Sequence, residues 1–111
     1  MSEDLFLKII DKEIPADIVY EDDDVLAFND INAQAPLHVL IIPKKHIKDV
    51  ASLDDQSVQS AGKILQMAHK LSKTLNGSQS FRLVMNNGAD AGQSVFHLHC
   101  HFISGKHLSD F

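Results

Sequence analysis

Several residue types are scarce in this chain, and each scarcity argues against a particular structural feature or class of protein. Cys100 is the only cysteine, so no disulfide can form within the chain. There is no tryptophan, and no apolar run is long enough to span a membrane. The 10 basic residues are outnumbered by 15 acidic ones, which argues against a protein that wraps DNA or RNA. A small nucleotide stays compatible, because backbone N–H groups and a few histidines can hold one phosphate.

The rest of the composition is that of one globular domain covering residues 1–111, with 44% hydrophobic and 23% charged residues. The start, Met1-Ser2-Glu3-Asp4, is acidic and lacks the pattern of a secretory signal. Together with the lone cysteine, this predicts a cytoplasmic protein without membrane attachment. We expect no cofactor, and a homodimer would help to stabilise a chain of this size.

Hydrophobic periodicity predicts an α+β domain. Helices are expected over residues 4–11 and 54–76, and strands over residues 17–20, 25–30, 37–42, 81–86 and 96–103. The expected apolar stripe of the long helix consists of Val58, Ala61, Ile64, Leu65, Ala68, Leu71 and Leu75. This order of elements is typical of an antiparallel sheet with its helices packed on one side.

The last predicted strand carries histidines at every second position, namely His97, His99 and His101. Because side chains alternate across a strand, the three imidazoles would share one face, and the residues between them would form a core face. Three imidazoles in a row are costly unless they have partners, since buried polar groups must be hydrogen-bonded. The spacing therefore favours a functional site on the histidine face.

Zinc binding is one alternative for this face. The outer two histidines lie about 13 Å apart along a strand that rises about 3.3 Å per residue, which is too far for one ion. A zinc site would need a further ligand from elsewhere, such as His38, because Cys100 points to the other face. We therefore expect no metal on this strand alone.

The loop before the histidines is rich in turn-forming residues and in hydrogen-bond donors. Gly88 and Gly92 allow backbone N–H groups to turn toward an anion. Gln93 and Ser94 add side-chain donors, and Asn86 ends the neighbouring strand. Donors beside a row of histidines suit a phosphate, although the same composition is also typical of a plain hairpin turn.

The chain resembles the histidine triad superfamily. The motif is His97-Leu98-His99-Cys100-His101-Phe102-Ile103, in which apolar residues separate and follow the three histidines. The preceding Gly92-Gln93-Ser94-Val95-Phe96 is similar to that superfamily too, as are residues 9–15, 26–31 and 34–46. The resemblance runs from about Leu5 to Ile103 and points to the histidine triad nucleotide-binding (HINT) branch.

That resemblance implies a five-stranded antiparallel sheet with one long and one short helix, and a homodimer whose two sheets join. It also implies hydrolysis of purine nucleoside phosphoramidates, commonly adenosine monophosphate linked to an amine. By the same resemblance His99 is the nucleophile, and Asp30 bonds the ribose hydroxyls. The implied catalytic residues are His99, His101, His97, His38 and Ser94. The implied nucleotide-binding residues are Asp30, Ile31, Asn86, Gly92, Gln93, Ser94, His99 and His101. The implied base pocket consists of Leu5, Phe6, Ile9, Ile31 and Leu40.

The end of the chain departs from that branch. HINT proteins usually end in a Gly-Gly-Arg segment and a Trp-Pro-Pro-Gly tail, whereas this chain ends in Ser104-Gly105-Lys106-His107-Leu108-Ser109-Asp110-Phe111. Since that tail influences substrate choice in the branch, the resemblance leaves the amine undefined.

The sequence is also compatible with other functions. One is hydrolysis of dinucleoside polyphosphates, as in the fragile-histidine-triad branch, which tends to carry threonine where Ser94 stands. A transferase of the hexose-phosphate uridylyl type fits less well, because that group tends to have glutamine at the place of His101. A nucleotide-binding regulatory protein with little turnover is a third.

Overall fold

The chain folds around a five-stranded antiparallel sheet with two helices, seen in a computed structural model that describes residues 2–110 and the side chains of residues 5–110. Met1 and Phe111, the ends of the predicted 1–111 domain, lie outside the described residues. The elements are α1 (Ser2–Ile10), β1 (Ile18–Glu21), β2 (Val25–Asn29), β3 (Leu37–Pro43), α2 (Val58–Thr74), β4 (Phe81–Val84) and β5 (Cys100–Ser104). The α+β class and the sheet agree with the prediction.

The strand order β1-β2-β3-β5-β4 places β3 in the middle of the sheet. In the pairing of β3 with β5, Leu40 is opposite His101 and His38 is opposite Ile103. His38 and His101 are therefore diagonal neighbours on one face, which is within reach of long or aromatic side chains. Register alone thus joins two histidines that are far apart in sequence.

The two faces of the sheet carry separate cores. On one face α2 packs through Ile64, Met67, Ala68 and Leu71 against sheet residues that include Val39, Ile41, Cys100 and Phe102. On the other face α1 packs through Phe6 and Ile9 against Leu26, Phe28, Leu40 and Ile42. The expectation that both helices pack on one side is therefore wrong. The short helix instead covers the face opposite α2, and this arrangement forms a cleft.

The buried stripe of α2 is narrower than predicted. Leu65 is 59% exposed and Val58 is 51% exposed, so these two residues do not belong to it. Met67 takes their place, because Ile64, Met67 and Leu71 follow the i, i+3, i+7 spacing of one helical face. Neither helix, among the described residues, has the length and apolarity needed to cross a bilayer.

The predicted strand over residues 96–103 is wrong in its first half, because β5 begins only at Cys100. The backbone N–H of Leu98 donates to the carbonyl of Ile47 at 2.6 Å instead of joining a ladder. Side chains before Cys100 still alternate between the two faces of the sheet, although this segment forms no ladder of hydrogen bonds with a neighbouring strand. Leu98 lies in the core under α2, whereas His99 contacts Phe6 on the α1 side.

Phe96 was expected on the core face and lies only partly buried, with the Lys48 ammonium 6.0 Å from the centre of its ring. Cys100 does face the core and is fully buried. Burial raises the pKa of the Cys100 thiol to about 11. The cysteine is thus a packing residue that points away from the cleft.

Candidate active site

A cleft of about 460 Å³ lies between α1 and the sheet. This volume falls within the range of small-molecule sites in proteins. The residues that line it are Leu5, Phe6, Ile9, Ile14, Pro15, Ala16, Asp17, Phe28, Asn29, Asp30, Ile31, Asn32, Gln34, His38, Leu40, Ser94, Val95, His99 and His101. The structure therefore brings ten of the predicted site residues together: Leu5, Phe6, Ile9, Asp30, Ile31, His38, Leu40, Ser94, His99 and His101.

The apolar part of the cleft is built on Phe6 of α1. Its ring meets Phe28 edge to face at 5.7 Å and His99 at 5.1 Å, both measured between ring centres. Such pairs prefer this edge-to-face geometry and add to the stabilisation from burial. Ile31 is 96% exposed, so its side chain forms an open rim. A planar aromatic group would find apolar walls here and an open outer edge.

His99 is held by a backbone carbonyl. Its Nδ1 lies 2.8 Å from the carbonyl oxygen of His97, and because a carbonyl can only accept, Nδ1 carries the proton. In the neutral ring, Nε2 then keeps a free lone pair. Burial lowers the pKa of His99, against smaller opposing effects of this hydrogen bond and of Asp30. His99 is therefore a neutral imidazole with a fixed tautomer at neutral pH.

A second chain of hydrogen bonds fixes His101. The backbone N–H of Gln34 donates to Nδ1 of His38 at 2.9 Å, so the proton of neutral His38 is on Nε2. That Nε2–H donates to Nδ1 of His101 at 2.9 Å. Nδ1 of His101 is thus an acceptor, and its own proton is on Nε2. Burial, followed by the nearby His99 and His38, lowers the pKa of His101 to about 4. His101 is therefore a neutral ring with a donor on Nε2.

Asp30 completes this cluster. Its Oδ2 lies 3.3 Å from Nε2 of His38, and its Oδ1 accepts the backbone N–H of Asn32 at 2.9 Å. One ligand atom from each of Asp30, His38 and His101 lies within 4.8 Å of the others, a grouping that can suit a metal ion. The bond from Gln34 decides against a metal here. A metal at Nε2 of His38 would displace the proton and leave an imidazolate or break that bond, so the geometry favours a hydrogen-bonded network.

His97 lies behind the cleft instead of in it. Its ring is fully buried, and its Nε2–H donates to the carbonyl of Pro43 at 2.8 Å. Burial is the main reason that the pKa of His97 falls to about 4. His97 contacts the residues of the cleft through its ring, which meets Phe6 edge to face at 5.9 Å between ring centres, and through its carbonyl, which holds His99. The first histidine of the motif is thus a support for the second.

The loop before the histidines has most of its donors occupied within the fold. The N–H groups of Gly92 and Gln93 donate to the carbonyls of Ala89 and Gly88. The Gln93 amide is buried, donates to the carbonyls of Lys48 and Val95, and accepts from the N–H of Gly88.

Three predicted phosphate ligands, Asn86, Gly92 and Gln93, do not line the cleft. The Asn86 amide lies against Gly92, so that a Cβ added to Gly92 would come 3.5 Å from it. Gly92 has a φ of 103°, which a larger residue would strain. Ser94 is exposed and lines the cleft beside the histidines. It is the loop side chain best placed to meet a ligand.

Sequence reasoning missed three residues that set the protons of the histidines: Gln34, Pro43 and His46. Gln34 and Pro43 act through backbone atoms, for which no side-chain pattern exists. His46 is different, since it is a histidine inside a segment that already resembled the family. His46 was therefore the one of the three that the sequence could have indicated.

The lowered histidine pKa values predict how stability depends on pH. Between about pH 6.5 and 5 the unfolded histidines gain protons, whereas folded His97 and His101 stay neutral. Because the unfolded chain then binds more protons, the free energy of unfolding should fall, by up to about 1.4 kcal/mol per pH unit for each such histidine. Urea denaturation at about pH 7.5, 6.5 and 5 measures this, and His101→Asn should flatten the slope. An unchanged slope in that variant would contradict the assignment.

The chain is similar in sequence and in fold to several known proteins. The HIT domain family model matches residues 11–108. An uncharacterised HIT-like protein of Synechocystis sp. is 49% identical over 110 residues, which cover 98% of this chain and 96% of that protein. A HIT family hydrolase from Clostridium thermocellum superposes with a TM-score of 0.92 at 42% identity, covering 96% of this chain and 94% of that chain. Another from Legionella pneumophila gives a TM-score of 0.90 at 42% identity, with 95% of each chain covered. The chain belongs to the HIT domain family.

Proposed function

We propose that this protein is a nucleotide-binding hydrolase that cleaves the P–N bond of purine nucleoside phosphoramidates through a nucleotidyl intermediate on His99. The observation that carries the proposal is the fixed tautomer of His99, whose Nδ1–H is held by the carbonyl of His97. Two similar solved proteins are named as hydrolases, which supports the reaction type. The purine preference, with adenosine as the commonest case, rests on the resemblance to the HINT branch.

In the first step, Nε2 of His99 attacks the α-phosphorus, a P–Nε2 bond forms and the P–N bond to the amine breaks. A neutral imidazole with a free lone pair is the form that this attack requires. The departing amine takes a proton, and Ser94 is the hydroxyl at the cleft that we assign to relay it from solvent. In the second step water attacks phosphorus and loses a proton to solvent, the P–Nε2 bond breaks, and the nucleoside monophosphate leaves.

Charge on the non-bridging oxygens grows in both transition states. The Nε2–H of His101 is the donor that the chain from Gln34 through His38 prepares for it. A donor that is oriented before the reaction needs no reorganisation, and removing one typically costs about 100- to 1,000-fold in rate. We assign Asp30 to bind the ribose hydroxyls, and we assign the apolar walls around Phe6 to bind the base.

The charge of the cleft favours phosphoramidates over dinucleoside polyphosphates. No lysine or arginine lines the cleft among the residues that the structure describes, and the carboxylates of Asp17 and Asp30 do. The imidazoles of His99 and His101 have lowered pKa values and are neutral at pH 7. A phosphoramidate brings a single negative charge, whereas a polyphosphate chain brings several that would lose water without gaining a cationic partner.

We also propose that the protein is a homodimer whose sheets join through β4. This strand lies at the edge of the sheet and pairs on one side only, with β5, within the described chain. An edge of this kind presents unpaired N–H and C=O groups that a second copy can satisfy. Phe81 on the same strand is 38% exposed and would be covered.

Sedimentation equilibrium should therefore give twice the 12.3 kDa mass of the chain. Phe81→Lys should shift the protein toward the monomer, because a charged side chain on an edge strand disfavours pairing. Leu65→Lys, on the exposed side of α2, is the matched control and should leave the mass unchanged. A wild-type protein that stays monomeric up to about 100 µM would refute the proposal, since a dissociation constant above that value means only weak association.

A quenched single-turnover reaction tests the nucleophile. With an adenosine phosphoramidate, base quenching and mass spectrometry should reveal an adenylylated peptide carrying His99. His99→Ala should abolish the adduct and lower kcat by about 1,000-fold or more, since it removes the covalent path. His101→Gln should still form the adduct, more slowly by about 100-fold. Full activity of His99→Ala would refute the nucleophile, and tight binding with no turnover of any phosphoramidate would indicate a regulatory protein.

Substrate charge gives an independent test. The kcat/KM value for an adenosine phosphoramidate should exceed that for diadenosine tetraphosphate by at least about 100-fold, because each uncompensated buried charge is costly. Asp17→Asn removes one of the two carboxylates that line the cleft. It should raise the rate on diadenosine tetraphosphate more than the rate on the phosphoramidate, because the tetraphosphate carries more negative charge. Equal rates on the two wild-type substrates would favour the polyphosphate hydrolase instead.

A further inference from the structure

His46 is an exposed histidine that contacts the buried ring of His97. Their Nδ1 atoms lie 3.3 Å apart, and their ring centres 5.1 Å apart at an angle of 61°. His46 does not line the cleft and lies in the segment between β3 and α2. The mechanism above gives it no role, although its partner supports the proposed nucleophile.

The positions of the protons determine what this contact is. Nε2 of His97 donates its proton to the carbonyl of Pro43, so Nδ1 of the neutral ring has only a lone pair. Among the described residues no buried side-chain nitrogen or oxygen lacks a partner. The partner of Nδ1 in His97 is His46, which must therefore carry a proton on its own Nδ1. Both the neutral Nδ1–H form and the protonated form of His46 meet this requirement.

The same segment holds the chain on both sides of His97, through the backbone of Leu98 and the side chain of Gln93. The carbonyl of Ile47 accepts the N–H of Leu98 at 2.6 Å, and the carbonyl of Lys48 accepts the Gln93 amide at 2.9 Å. The ring of His97 is fixed at one edge by Pro43 and at the other by His46. The carbonyl of this anchored residue is the group that holds Nδ1 of His99.

We propose that His46 is a positioning residue that keeps His99 in its attacking tautomer by donating from Nδ1 to the buried ring of His97. Without that donor, Nδ1 of His97 is a buried acceptor with no partner, which is unfavourable because its bonds to water are not replaced. The unpaired Nδ1 can then find a partner only if the His97 ring rotates or exchanges its tautomer. Either change moves the carbonyl of His97 that orients His99. The kinetic part of this inference rests on the proposed function, whereas the tautomers do not.

Nitrogen-15 correlation spectra of the histidine rings test the arrangement without any substrate. In the wild-type protein at about pH 7.5, where a histidine of ordinary pKa is neutral, His46 and His99 should be Nδ1–H tautomers and His97 an Nε2–H tautomer. An exposed histidine in water favours the Nε2–H form, so the Nδ1–H form of His46 is a specific signature. An Nε2–H tautomer at His46 would overturn the proposal.

Two substitutions then separate the effect of the hydrogen bond donated by His46 from the effect of its side-chain volume. His46→Asn places an amide N–H near the position of Nδ1, and His46→Leu fills similar space with no donor. In His46→Leu, His99 should show a mixture of tautomers, and kcat for the phosphoramidate should fall by about 10- to 100-fold, since small misplacements of a reacting group have effects of that size. The dissociation constant for adenosine monophosphate should stay within about twofold, since the cleft walls are untouched. His46→Asn should restore kcat to within about threefold.

His69→Asn is the matched control, because His69 is also exposed but lies on α2, away from the histidine motif. It should change neither the ring spectra nor the kinetics. If His46→Leu folds and His99 keeps a pure Nδ1–H tautomer, the positioning role is wrong. If the tautomers respond as expected but the wild-type protein hydrolyses no phosphoramidate, the proposed function fails and the positioning by His46 stands.

Discussion

The protonation of the cleft histidines depends on backbone groups that can act in only one direction. The N–H of Gln34 can only donate, and the carbonyls of Pro43 and His97 can only accept. From these three fixed ends, the position of the proton on each neutral ring follows. Burial keeps the rings of His97, His99 and His101 neutral by lowering their pKa values. The result is a free lone pair on His99 beside a ready N–H on His101, from two residues of the same chemical type.

This arrangement needs both faces of the sheet to be closed by different helices. α2 buries the alternate residues Leu98, Cys100 and Phe102, which anchors the motif from behind. α1 brings Phe6 over His99 and provides the burial that depresses its pKa. A sheet with both helices on one side would leave the histidines in water, where their pKa values would stay near 6.5. The position of the short helix therefore controls the electrostatics of the cleft as well as its shape.

Periodicity along the sequence predicted the class of the fold and most element positions, because it is a local property of the chain. Most of the ten predicted residues that meet in the cleft came instead from the resemblance to the histidine triad superfamily. Prediction from the sequence failed where backbone atoms decide the outcome. Gln93 reads as a phosphate donor, but its amide is consumed by Lys48 and Val95. The strand before Cys100 reads as regular, but the carbonyl of Ile47 captures Leu98. Partners of this kind come from segments distant in sequence, and no spacing rule identifies them.

Cys100 stands directly beside His99 in sequence, yet it belongs to the opposite face of the sheet. Oxidants react with the thiolate and need access to the sulfur. Full burial and a pKa raised to about 11 deny both conditions at neutral pH. The histidine motif thus contains a cysteine without exposing the cleft to peroxide or to disulfide exchange, and the reaction proposed for His99 should be insensitive to thiol oxidants.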